Sequence, residues 1–175
     1  MRPIFAAAVV AGVGLLTIEA SPTQALVISV GAPYGSTGTT KCVDVSGNSI
    51  VPAPVQVFDC HASGAQQFQW AGPDPQFESS VPPGTTIYTE SGHDCLDIVG
   101  VGTTNGTPVQ SFPCNGGINQ QFIYFNGQII AYANTAIARM KCLDAGNGTR
   151  TVGPNFTQLV IEDCNGTDAQ QFQLK

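Results

Sequence analysis

Five residues in the middle of the chain, Asp97, Gln110, Phe112, Asn119 and Gln120, are of the types that can grip a ring bearing several hydroxyls. A carboxylate accepts hydrogen bonds from two neighbouring hydroxyls, carboxamides both donate and accept, and an aromatic face covers C–H groups. Together they hold such a ring by one polar edge and shield its apolar face, which sets orientation. Taken singly, each has a plainer reading: an aspartate just after a strand cysteine caps a turn through its own backbone, and a glutamine is simply solvated. What lifts them above that reading is recurrence.

Three segments align along the chain: "KCVDVSGNSIVPAPVQVFDCHASGAQQFQW" from Lys41, "DCLDIVGVGTTNGTPVQSFPCNGGINQQFIYF" from Asp94, and "KCLDAGNGTRTVGPNFTQLVIEDCNGTDAQQFQL" from Lys141. Each runs Cys-x-Asp, a glycine-rich turn, a second cysteine and Gln-Gln-Phe, with a period of about 50 residues. Within a copy, short runs such as "CLDIV" and "VQSFPC" are separated by turn residues, and no apolar face persists at helical spacing. Further strand-like pieces begin at Leu26, Thr86 and Gln128, and another sits at each Gln-Gln-Phe. The pattern predicts about twelve antiparallel strands with pseudo-threefold symmetry, in repeats spanning residues 26–72, 73–125 and 126–175. Phe68, Phe122 and Phe172 are expected to fill the core, with Trp70 and Tyr124 as packing residues.

The frame around these repeats narrows the function classes. Residues 1–25 have the layout of a secretory leader: Arg2 is followed by "IFAAAVVAGVGLL", a run shorter than the roughly 20 residues a spanning helix needs, with cleavage after Ala20 or, preferably, Ala25. A secreted, extracellular single domain without membrane insertion is expected. Charged residues make up only 10% of the chain, with Gly 20 and Pro 12, as befits a fold of strands and turns. The net charge of −6 with six Lys and Arg argues against a nucleic-acid partner. Six cysteines in a secreted chain are most simply three disulfides, and no Cys-x-x-Cys pair suggests a metal. His61 and His93 lack obvious ligand partners and read as ordinary loop residues, so neither metal nor cofactor is expected. Asn105, Asn147, Asn155 and Asn165 each begin an Asn-x-Ser/Thr sequon and are candidate glycosylation sites.

Cys-x-Asp, then Gln-x-aromatic-x-Cys, then Gln-x-aromatic, written three times, resembles the ricin B-type lectins, which are β-trefoils. The likeness runs over residues 26–175. It implies an all-β fold with one disulfide inside each repeat, among Cys42, Cys60, Cys95, Cys114, Cys142 and Cys164. It also implies glycans or glycoproteins as partners, with galactose-type sugars held by the matching aspartate, glutamine, aromatic and asparagine, and the following glutamine in support. The family often has tryptophan where this chain has Phe68, Phe122 and Phe172. If Cys95 and Cys114 are bonded across an antiparallel pair, Asp97 falls opposite Phe112 and Gln110 one step further. A disulfide closing such a loop contributes on the order of 3 kcal/mol in the chain-entropy view.

The second repeat carries the whole set. The first supplies Asp44, Gln56, Phe58 and Gln66, but Ala65 stands where the second has Asn119. In the third, Asp144 and Gln170 remain while Val160, Glu162 and Ala169 replace the others. Asp144 is then expected to face Glu162 across the strands beside Asp163, an unfavourable like-charge pair, so the third copy holds the fold without binding sugar. Two rival classes stand beside the lectin. Asp144 with Glu162 resembles the paired carboxylates of a glycosidase, but only one repeat has the pair. A trefoil protease inhibitor would use an exposed loop such as "AGPDPQFESSVPPG" from Ala71, which otherwise reads as a linker. A homologue that has lost sugar binding is the remaining alternative.

Overall fold

Alternation along the strands both fills the core and displays the polar positions. In a strand, successive side chains point to opposite faces. In "TPVQSFP" Val109 and Ser111 are buried while Pro108 and Pro113 are exposed and Gln110 and Phe112 half-buried; in "APVQVFD" Ala53, Val55 and Val57 face inward. The computed structural model describes residues 25–31, 40–49, 52–61, 63–70, 84–90, 94–132 and 140–175. The expected leader, the 71–83 part of the inhibitor-type loop, and His93 lie outside these.

Thirteen strands are described: β1 (Ile28–Val30), β2 (Lys41–Val45), β3 (Ala53–Asp59), β4 (Phe68–Trp70), β5 (Ile87–Thr89), β6 (Asp94–Ile98), β7 (Thr107–Pro113), β8 (Phe122–Phe125), β9 (Gln128–Ala131), β10 (Lys141–Asp144), β11 (Thr157–Gln158), β12 (Val160–Asp163) and β13 (Phe172–Leu174). Every pairing is antiparallel. Twelve strands were expected, and the extra one has a simple origin. In the third repeat the long hairpin strand is interrupted at Leu159, where it leaves β3 of the first repeat and joins β10 of its own.

Two layers result. The ladders β1–β13, β4–β5 and β8–β9 are linked by backbone bonds between Leu26 and Phe68, Thr85 and Phe122, and Phe172 and Gly127. Over them lie the hairpins β2–β3, β6–β7 and β10–β12, joined where β3 meets β7, β7 meets β12 and β11 meets β3. This is the β-trefoil. Phe68, Phe122 and Phe172 are fully buried in one core cluster with Ile28, Leu96, Leu143 and Ile161, as their repetition predicts. Burying one such side chain contributes roughly 1.5–3 kcal/mol. Trp70 packs edge-on to Tyr124, whose hydroxyl donates to the Phe172 carbonyl at 2.9 Å.

The disulfides are Cys42–Cys60, Cys95–Cys114 and Cys142–Cys164, one in each repeat. The expected register, however, is off by two residues. Cys95 pairs with Phe112 and Asp97 with Gln110; in the first repeat Cys42 pairs with Phe58 and Asp44 with Gln56. The second cysteine of each pair lies just past the end of its strand, so the bond runs diagonally from the last rungs. Those rungs are fixed by charge in two repeats: Lys41 Nζ lies 2.5 Å from Asp59, and Lys141 Nζ 2.7 Å from Asp163. By the same shift Asp144 faces Val160, and Glu162 faces Cys142. Among the described residues no helix is long and apolar enough to cross a membrane, and no group of three or more His, Cys, Asp or Glu is placed to hold a metal ion.

Candidate functional site

Each repeat aims the carboxylate after its first cysteine at the first glutamine of Gln-Gln-Phe. Gln66, Gln120 and Gln170 are fully buried at the start of the segment that sinks its phenylalanine into the core. Their Nε2 atoms donate to Oδ2 of Asp44, Asp97 and Asp144 at 3.1, 3.0 and 3.2 Å. The same Nε2 donates to the carbonyl of Asp59, Pro113 or Asp163, and Oε1 accepts the backbone N–H of His61, Asn115 or Asn165. An acceptor-only carboxylate requires the amide nitrogen to face it, which fixes the orientation of all three glutamines. This contact is the same in every repeat and therefore belongs to the scaffold.

The repeats diverge in what else meets the carboxylate. In the second, Gln110 Nε2 donates to Asp97 Oδ1 at 3.0 Å, and Asn119 Nδ2 to Oδ2 at 2.7 Å and to the Ile98 carbonyl at 3.2 Å. Asp97 is 2% exposed beneath these amides, while Gln110, Phe112 and Asn119 are half-buried. Three of the roughly four lone-pair positions of the carboxylate are filled by side-chain amides. The structure thus brings together Asp97, Gln110, Asn119 and Gln120, with Phe112 two rungs along on the same outward face.

The first repeat solves the loss of the asparagine differently. Gln56 Nε2 donates to Asp44 Oδ1 at 3.0 Å, as Gln110 does to Asp97. Ala65 leaves a gap, and His61 occupies it: its Nε2 lies 3.4 Å from Asp44 Oδ2, and its side chain is 40% exposed. His61 is therefore a residue of this cluster, which corrects its reading as an ordinary loop residue. The signal lay in the alignment, where the residue after the second cysteine is asparagine twice, Asn115 and Asn165, and histidine once. Both asparagines fold back to accept the N–H two residues on. The His61 ring instead reaches the carboxylate. The ring also meets Phe58, with centroids 5.6 Å apart.

In the third repeat the carboxylate is closed from within. Asp144 Oδ1 accepts the backbone N–H of Gly146 at 2.9 Å and of Gly148 at 3.2 Å, and the residue has no exposed surface. Val160 offers no amide to compete with these bonds. Asp144 is sealed and Glu162 sits two rungs away, so they do not form the flanking pair a glycosidase uses. Burial, followed by the Asp144 charge, raises the Glu162 carboxyl above the ordinary range.

The sequons divide into two kinds. Asn155 accepts from Lys41 Nζ at 2.6 Å and donates to Asp59 at 2.9 Å, and Asn105 accepts from Lys141 Nζ and from the Asp163 N–H. Both clasp the next repeat. The bonds to Lys41 and then to Asn155 hold the Asp59 carboxyl below the usual range. Asn147 and Asn165 are exposed and make no such clasp among the described residues, whereas Asn105 is exposed and Asn155 half-buried within theirs.

The architecture is that of a β-trefoil with a polar cluster on each outer hairpin, the carboxylate met by further side chains in the first two and by backbone N–H groups in the third. Residues 34–172 match the ricin-type beta-trefoil lectin domain, and the chain belongs to that family. Among solved structures it is similar to a designed threefold-symmetric protein, ThreeFoil, at 20% identity and a TM-score of 0.63, over 85% of this chain and 96% of that one. It is similar to the C-terminal half of an earthworm R-type lectin in complex with GalNAc, at 13% identity and a TM-score of 0.57, over 87% of this chain and 98% of that one. It is also similar to the ricin B-like lectin of Macrolepiota procera in complex with lactose, at 14% identity and a TM-score of 0.57, over 90% and 98%. Among curated proteins no sequence match is found.

Proposed function

We propose that this protein is a secreted, non-catalytic lectin that binds galactose-type sugars through the second repeat, with an auxiliary site in the first. The observation that carries the reading is the set of three amides from Gln110, Asn119 and Gln120 converging on Asp97. A carboxylate pinned from three sides loses little freedom when a ligand hydroxyl arrives. Galactose-type specificity is supported by the GalNAc and lactose complexes of structurally similar lectins. Secretion is supported by the leader-like segment and by three disulfides, which persist in oxidising compartments. Asn147 and Asn165 are the better placed glycosylation sites on that route.

Asp44, Gln56, Phe58, His61 and Gln66 form the auxiliary site, and two shallow sites on one molecule raise avidity for a clustered glycan. A glycan array with the wild type and with the Asp97→Ala and Asp44→Ala variants tests the reading. Binding to galactosides, strongly reduced by Asp97→Ala and partly by Asp44→Ala, is expected. A wild type that binds no glycan, or variants that bind as well as it does, would overturn it.

A further inference from the structure

Among the described residues Phe156 is the most exposed large hydrophobic, at 71%. It belongs to the third repeat, yet its ring stands edge-to-face against Phe58 of the first, with centroids 5.0 Å apart and planes inclined by 75°. Phe58 in turn meets His61, and His61 meets Asp44. A continuous wall therefore runs from the Asp44 carboxylate to Phe156, crossing from one repeat to another.

Neither backbone preference nor burial accounts for a phenylalanine here. Its φ of +71° lies in the left-handed region that glycine favours. The second repeat contains the same turn: Thr107 N and Oγ1 bond the Thr104 carbonyl at 3.2 and 2.8 Å, and Thr157 N and Oγ1 bond the Pro154 carbonyl at 3.1 and 2.7 Å. The third residue of each turn donates to a strand of the next repeat, Gly106 to Ile161 and Phe156 to Val57. There the second repeat has Gly106, at φ +80°. The turn with glycine lies beside the third cluster, whose carboxylate takes backbone N–H groups, and the turn with phenylalanine lies beside the first, where Phe58 and the exposed His61 ring face outward. Asn155, clasped by Lys41 and Asp59, fixes the base of this turn.

We propose that Phe156 is a ligand-contacting residue of the first-repeat site and extends it to take a disaccharide or longer glycan. The first ring lies at Asp44 and Phe58, and the next ring rests its C–H face on Phe156. This rests on the reading of the first repeat as a sugar site, and the test separates the two. In an Asp97→Ala background, which silences the second repeat, calorimetric titration with galactose and with lactose is compared before and after Phe156→Gly. Lactose affinity should fall about tenfold, galactose affinity should hold within about twofold, and thermal stability should not drop. Unchanged lactose affinity, or an equal loss for both sugars, would overturn the role of Phe156 while leaving the site standing. If the Asp97→Ala protein binds neither sugar, the first-repeat site fails and the extension fails with it.

Discussion

Asn119 and Asp97 are joined by a 2.7 Å hydrogen bond from Nδ2 to Oδ2, and this bond has no counterpart in the other two repeats. It ties the turn before Gln-Gln-Phe to the strand after the first cysteine, and leaves the amide half-buried at the surface. Asn119→Ala keeps Gln120 and Phe122, the residues that hold the fold there, and removes one donor to a charged acceptor. Such a bond, worth roughly 1.5–3 kcal/mol, holds the carboxylate in place, and without it and without the amide beside the ligand, second-site affinity for a galactoside should fall roughly tenfold or more. Calorimetric titration in an Asp44→Ala background reads the site alone. Unaltered affinity there would detach Asn119 from the ligand.

In the first repeat, where Ala65 stands at the asparagine position, His61 reaches the carboxylate from the other end of the loop with a longer contact, 3.4 Å, from an exposed ring. Its contribution should be correspondingly smaller. In an Asp97→Ala protein, His61→Ala is expected to weaken galactoside binding by roughly threefold to tenfold with no change in melting temperature. A loss of stability without a loss of affinity would instead make His61 a structural prop for Phe58.

The threefold repetition made much of this legible in the sequence, because a feature present in all three copies answers to the scaffold and one that varies answers to the site. Gln170 keeps the contact of Gln66 and Gln120 although Val160 and Glu162 have replaced the sugar-type residues beside it. The register was not legible, since nothing in the spacing says that the second cysteine falls beyond the last rung. His61 and Phe156 were missed for a related reason. The first acts through a change at a single aligned position, and the second meets Phe58 from another repeat, a contact that symmetry within one copy does not reveal.

Val101 offers a stability gain at the rim of the second site. It is a β-branched residue with φ +54°, 48% exposed, in the turn that follows Asp97. The matching turn of the first repeat has Asn48 at φ +48°. Left-handed backbone costs an ordinary residue about 1–2 kcal/mol, and asparagine tolerates it better. Val101→Asn should therefore raise the urea midpoint by an amount equivalent to about 0.5–1 kcal/mol at unchanged m-value. A lower midpoint would mean that the valine side chain contributes contacts that outweigh its backbone strain.

Glu162 has the opposite pH behaviour to most carboxylates of a folded protein. Burial and then the Asp144 charge raise its folded pKa above the ordinary value of 4.5, with partial relief from a Gly106 backbone hydrogen bond and from Lys141. In the window above 4.5 the folded state thus holds more protons at this site than the unfolded state, and stability falls as pH rises through it. The cost is absent below the unfolded pKa and fully present above the folded one. Asp59 works in the other direction: its lowered pKa supports the fold above the ordinary carboxylate range and is lost on acidification. Glu162→Gln removes the charge and keeps the shape. It should give a small rise in melting temperature at pH 7 and none at pH 3.5, and added salt should shrink the rise because the group is partly solvated. A gain of equal size at both pH values would trace it to packing rather than to the charge.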